Sequence, residues 1–144
     1  MNSNFDLKKI ENKTIIFIDG ECIMCNQFLT YIFNRDKKSL FYASSLQSHF
    51  ALKYLNKKIT SNLNSIIVAL NFNTHNQIIL KKSNAIFFIL SQLGGIYNLI
   101  NIFKILPSNL CDTVYDFISK RRQQFLIRTK TCDISQKKFE KKII

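Results

Sequence analysis

The 144-residue chain predicts an α/β fold: a mixed four-stranded sheet flanked by helices, with extra helices at its C-terminal end. Three observations carry this expectation. There are four short runs rich in β-branched and aromatic residues, rows of apolar residues at helical spacing, and the order β-α-β-α-β-β-α in which the two alternate. A leading βαβ unit needs a crossover helix and gives a parallel pair, whereas two strands joined by a polar loop pair antiparallel.

The first strand is read from Lys13-Thr14-Ile15-Ile16-Phe17-Ile18, and Asp19-Gly20-Glu21 ends it with turn chemistry. In the helix that follows, Cys25, Phe28, Leu29, Ile32 and Phe33 fall at i, i+3, i+4, i+7 and i+8, an apolar stripe; Asn26, Gln27, Thr30, Asn34 and Arg35 fall mostly on the wet side. Leu40-Phe41-Tyr42-Ala43 makes the second strand. Leu46 to Asn56 reads as a helix, with Leu46, Phe50 and Tyr54 in one row. The runs Ser65 to Leu70 and Gln77 to Leu80 flank a polar turn and suggest a hairpin with a longer loop. Ser83 can cap a helix over Asn84 to Leu93. Beyond a hinge at Gly94-Gly95, Ile96 to Ile105 is a further helix candidate. After Pro107, Ser108 is placed as the cap of Asn109 to Gln124, whose row of Leu110, Val114, Phe117, Ile118 and Phe125 is expected to pack on the core. The arrangement is thioredoxin-like. It puts the loop after the first strand at the carboxyl end of a central strand, where α/β sheets tend to place their sites.

That loop carries Cys22-Ile23-Met24-Cys25. A Cys-x-x-Cys where a strand becomes a helix suits thiol–disulfide exchange, because free N–H groups of the first turn favour a thiolate and the second sulfur can close onto it. The helical stripe predicts that Cys25 is shielded and Cys22 sits at the exposed tip, so Cys22 is expected to attack and Cys25 to resolve the mixed disulfide. Asp19 and Glu21 lie close by, and like charge opposes the helix terminus, so Cys22 is expected to be only moderately acidified. Two roles stay open for Asp19: proton acceptor for Cys25, or cap of the turn.

Composition bounds the alternatives. The size fits one domain with a real core, expected over 13–128, after an N-terminal segment at 1–12 and before a basic tail at 129–144 read as disordered. The net charge is +12, and Lys120 to Ile144 alone holds nine basic and two acidic residues. No zinc-finger spacing or RNP-type strand accompanies it, so no specific nucleic acid is expected. Met1 to Glu11 lacks an apolar signal core, and Ala85 to Leu106 is broken by polar residues and Lys104. Membrane association is therefore not expected, and the protein is placed in the cytoplasm, where a Cys-x-x-Cys is catalytic or metal-binding rather than structural.

Asp19-Gly20-Glu21-Cys22-Ile23-Met24-Cys25 after an apolar strand resembles the signature of the DCC family of thiol–disulfide oxidoreductases, named for their Asp-x-x-Cys-x-x-Cys motif. Ser45-Leu46-Gln47-Ser48, Ser65-Ile66-Ile67-Val68, Ser83-Asn84-Ala85, Leu93-Gly94-Gly95 and Val114-Tyr115-Asp116 fall in the family's order and approximate spacing, over about residues 12 to 132. The resemblance implies a thioredoxin-like fold and protein-disulfide reductase or related activity, with Asp19, Cys22 and Cys25 carried over. It implies a protein or small-molecule disulfide as substrate, an unidentified reductant and no cofactor. Asn64 and Asn84 stand where the family often has Asp. Thioredoxins set a cis-proline before the third strand. The single proline here is Pro107, so Asn64-Ser65 takes the equivalent place, offering backbone to substrate without a cis bond, which would cost about 2.5–4 kcal/mol.

Two readings from other classes remain: a zinc or iron–sulfur site shared by Cys22, Cys25 and a distant cysteine or a partner, or a non-catalytic interaction module. Cys111 and Cys132 lack the short spacing of a second ligand pair. Cys111 is expected to be a small buried apolar residue, Cys132 to be passive, and His49 and His75 to be solvated.

Overall fold

The computed structural model describes residues 7–60, 65–95, 107–125 and 137–144. The elements are α1 (Leu7–Ile10), β1 (Thr14–Ile18), α2 (Ile23–Arg35), β2 (Phe41–Ser45), α3 (His49–Tyr54), α4 (Lys57–Thr60), β3 (Ile67–Leu70), β4 (Ile78–Lys81), α5 (Lys82–Leu93), α6 (Ser108–Phe125) and a C-terminal 3₁₀ turn (Lys137–Lys142). The expected helix over Ile96 to Ile105, Asn64 and Cys132 lie outside the described residues.

The sheet order is β2-β1-β3-β4. β1 and β2 run parallel, with Ile16 opposite Ala43, and β1–β3 and β3–β4 are antiparallel. This is the mixed, thioredoxin-like sheet that the element order predicts. Strand alternation sends Ile16 and Ile18 of β1 toward α2 and α5, where they meet Leu29, Ile32, Val68 and Ile89. Ile15 and Phe17 point the other way, into a second cluster with Leu46, Ala51, Leu55 and Phe72. Side chains of this kind contribute roughly 1.5–3 kcal/mol each when fully buried.

Several boundaries move for local reasons. The helix expected from Leu46 starts at His49, because Ser48 caps it by accepting the Ala51 N–H at 3.0 Å. Ser83 does not cap α5. The helix begins at Lys82, which holds a left-handed φ of 52°, and Ser83 sits inside the first turn, buried. Asp112 of α6 serves there instead, accepting from the Ser83 N–H at 3.3 Å and from its hydroxyl. Ser108, expected as the cap of α6, is the helix's first residue, and the Pro107 carbonyl accepts from the Leu110 N–H at 3.0 Å. At its far end α5 stops at Gly94, whose φ of 68° an L side chain rarely adopts.

The largest correction concerns α6. Leu110, Val114, Phe117 and Ile118 are each more than half exposed rather than packed on the core, and Cys111 is only partly buried. The opposite row docks. Asp112 takes the start of α5, the Tyr115 hydroxyl accepts the Ile66 N–H at 2.9 Å, Asp116 pairs with Lys82 at 2.7 Å, and Ser119 is buried. Three polar groups that meet specific donors fix the helix rotation, because the N–H groups of buried Ser83 and Ile66 would otherwise go unmade at about 1–3 kcal/mol each.

The C-terminal end also differs from the expected disordered tail. Residues 137–144 fold back onto β2. Ile143 forms a parallel bridge to Ala43, and the Ile144 N–H donates to the Ala43 carbonyl at 2.8 Å. Phe139 is buried against Phe33 with ring centroids 5.3 Å apart. Lys142 pairs at 2.9 Å with Asp36, whose side chain is 1% exposed and also accepts the Leu40 and Phe41 N–H groups at 2.9 and 3.1 Å.

Two tests follow from these anchors. Asp36→Ala leaves two N–H groups without an acceptor and is expected to cost about 2–4 kcal/mol in denaturant unfolding. The Lys82 ammonium is held above its ordinary value of 10.5, first by its hydrogen bond to Asp116 and against desolvation. A raised value gives stability below the unfolded pKa that is lost as pH rises through the folded one. The stability gap between wild type and Asp116→Asn should therefore narrow when unfolding is followed through strongly alkaline pH.

Candidate functional site

The site forms where β1 ends. Asp19 closes a tight turn: its Oδ1 accepts the Glu21 N–H at 3.0 Å, and its carbonyl accepts the Cys22 N–H at 3.3 Å. Cys22 is the N-cap of α2 in an extended conformation, and its Sγ accepts the Cys25 N–H at 3.4 Å. The Cys22 carbonyl accepts the Asn26 N–H at 3.0 Å and so begins the helical ladder. The cap position that usually carries a hydroxyl or carboxylate oxygen is here filled by sulfur.

This geometry corrects the expected contrast in exposure. Cys22 and Cys25 are equally buried, each 8% exposed. The Cys22 sulfur turns back over the first turn to reach an N–H rather than projecting from the helix tip. Met24 is the exposed residue of the pair's connection. Asn26, expected on the wet side, is buried at 6% exposure, and its Nδ2 donates to the Gly20 carbonyl at 3.0 Å. That carbonyl fixes the amide's orientation, because only the nitrogen can donate. It leaves the Asn26 Oδ1 buried with no hydrogen-bond partner among the described residues.

Gln47 escaped the sequence reading as a site residue, although Ser45-Leu46-Gln47-Ser48 stood out as a motif. From the loop between β2 and α3 it donates Nε2 to Asp19 Oδ1 at 2.7 Å and accepts the Gly20 N–H on Oε1 at 3.1 Å. Nothing in a single sequence connects positions 28 apart; the parallel pairing of β1 and β2 does.

On the Cys25 side lies an apolar cleft of about 210 Å³, lined by Met24, Phe28, Ile66, Ile86, Tyr115 and Ile118 with Cys25 itself. Ser65, buried, precedes Ile66 at its rim. Both backbone groups of Ile66 are engaged, its N–H by Tyr115 and its carbonyl by the Lys82 N–H at 3.1 Å. A larger open hollow beside Glu11, Asn73 and His75 belongs to the opposite end of the sheet. His49 and His75 are both exposed, as expected. Among the described residues no three His, Cys, Asp or Glu side chains cluster as a metal set would. Among those residues no helix is long and apolar enough to cross a membrane.

A Cys-x-x-Cys capping a helix at the end of a central strand is an arrangement typical of thioredoxin-like proteins. The chain matches the DCC1-like thiol-disulfide oxidoreductase family over residues 16–128 and belongs to that family. It is 28% identical over 139 residues to the uncharacterized protein YuxK of Bacillus subtilis (strain 168), covering 95% of this chain and 97% of that one. No solved structure matches it.

The Tyr115 contact is directly testable. Tyr115→Phe keeps the ring and removes the acceptor of the Ile66 N–H, and should lower unfolding stability by about 1–2 kcal/mol in denaturant titration.

Proposed function

We propose that the protein is a thiol–disulfide oxidoreductase of the protein-disulfide reductase type, with Cys22 as attacking thiolate and Cys25 as resolving thiol. The cap carries this reading. An N–H donated to the Cys22 sulfur at the positive end of α2 favours the anionic form of that sulfur over the thiol. Cys25 supplies the N–H, so the resolving residue is held one helical turn from the attacking one.

The Cys22 thiolate attacks one sulfur of a substrate disulfide. A Cys22–substrate bond forms, and the other substrate sulfur leaves as a thiolate that takes a proton from solvent. Cys25 then loses its proton and attacks the Cys22 sulfur. The mixed disulfide breaks, the second substrate thiol departs, and a Cys22–Cys25 disulfide remains. Two electrons have passed to the substrate, and an external dithiol returns them. Asp19 serves this reading best as the holder of the turn, since its Oδ1 is shared between two donors.

The apolar cleft supports a polypeptide substrate, because it fits an uncharged side chain next to the substrate cysteine. Asn64 and Ser65 are proposed to offer backbone to that chain. A reducing compartment such as the cytosol would keep the pair in its working dithiol form.

Insulin reduction with dithiothreitol tests the reading. Wild type should accelerate turbidity, Cys22→Ser should fall to background, and Cys25→Ser should accumulate a mixed disulfide seen as a mass increase on the intact protein. A Cys22→Ser rate equal to wild type would overturn the assignment.

A further inference from the structure

We infer that Gln47 is a positioning residue of the thiol site, holding Cys22 in its reactive geometry by tying the Asp19 carboxylate and the Gly20 amide to the loop between β2 and α3. The inference rests on the proposed chemistry at Cys22 and deepens it.

Both ends of the Gln47 amide are spent on the turn that precedes the cysteines. Nε2 donates to Asp19 Oδ1 at 2.7 Å, and Oε1 accepts the Gly20 N–H at 3.1 Å. The partners dictate this orientation, since a carboxylate only accepts and an amide N–H only donates. Gln47 is itself anchored. Its N–H donates to Ser45 Oγ at 3.1 Å, the Ser45 hydroxyl donates to its Oε1, and the neighbouring Leu46 N–H donates to the Ile18 carbonyl at 2.8 Å. The turn's remaining groups point inward, with the Asp19 carbonyl on the Cys22 N–H and the Gly20 carbonyl on Asn26. Gln47 thus supplies the link from a distant stretch of chain to the two peptide units that aim Cys22.

Removing the link has two consequences of one sign. Asp19's carboxylate keeps the Glu21 N–H but loses its second donor, so more of its negative charge is left to oppose the thiolate. The turn also loosens, weakening the Cys25 N–H bond to the Cys22 sulfur. The titratable groups of this corner are Asp19, Glu21, Cys22 and Cys25.

Two substitutions separate the roles. Gln47→Ala removes donor and acceptor together. Gln47→Glu keeps an acceptor for the Gly20 N–H, removes the donor to Asp19 and adds a negative charge beside it. The readout is the pH dependence of iodoacetamide alkylation at Cys22, resolved by peptide mass spectrometry, beside an unfolding curve for each variant. The alkylation midpoint should rise by about half a unit in Gln47→Ala and about one unit in Gln47→Glu, roughly threefold and tenfold less thiolate near neutral pH. In an Asp19→Asn background the Gln47→Glu shift should fall to half or less. A Gln47→Glu protein with the wild-type midpoint would overturn the inference, as would a shift that is the same with and without Asp19→Asn. Should Gln47→Ala not fold, the Gln47→Glu pair of measurements decides the matter alone. None of these readouts needs a disulfide substrate, so failed insulin reduction would remove the proposed activity while leaving them to stand or fall separately.

Discussion

Burial of β1 on both faces is the constraint on which the site depends. Its residues alternate between two clusters, Ile16 and Ile18 on one side and Ile15 and Phe17 on the other, and all four are essentially inaccessible. A one-residue slip would exchange the two sets and empty both clusters of their matched partners. The register is therefore fixed, and with it the point at which the chain leaves the sheet. Asp19 is the first residue beyond the strand, and the cap of α2 falls three positions later. The parallel partner β2 ends level with β1 and releases its own loop beside the same corner, which is why a glutamine so far along the sequence can reach the turn.

The C-terminal helix obeys a different rule. Hydrophobic burial is non-directional and tolerates rotation of a helix about its axis, whereas Asp112, Tyr115 and Asp116 each meet a particular donor on α5, on Lys82 or ahead of β3. Those contacts turn the polar row of α6 inward and place Tyr115 and Ile118 at the wall of the cleft beside Cys25. The docking that stabilises the helix also shapes the surface next to the thiols.

This division explains what could be read from the chain. The order of strands, the stripe of α2 from Cys25 to Phe33 and the cysteine pair at a helix start were all legible, because each is a local pattern with a fixed period. The rotation of α6 was not, since periodicity favoured its apolar row and the donors that outweigh it come from other elements. The same holds for Asn26 and Gln47, whose partners are turn backbone groups invisible to a count of apolar positions. The docking of Phe139 and Lys142 was hidden by charge: a lysine-rich end reads as solvated until one lysine meets the enclosed carboxylate of Asp36. Helical periodicity does not give the exposure of Cys22, because a sulfur that caps a helix folds back on it.

With burial equal, the two cysteines are told apart by their neighbours. Both belong to one apolar cluster, but Cys22 also borders the turn whose peptide groups and carboxylate are held by Gln47 and Asn26, and its sulfur has an N–H to meet. Cys25 borders an apolar cleft walled by Met24, Phe28 and Ile118. A thiolate is better accommodated by the first setting and a neutral thiol by the second, since burial among apolar groups disfavours the charged form. The difference in surroundings that the proposed exchange would use therefore arises from the turn on one side of the pair and from α6 on the other. Both are placed by contacts that β1, β2 and β3 make in common.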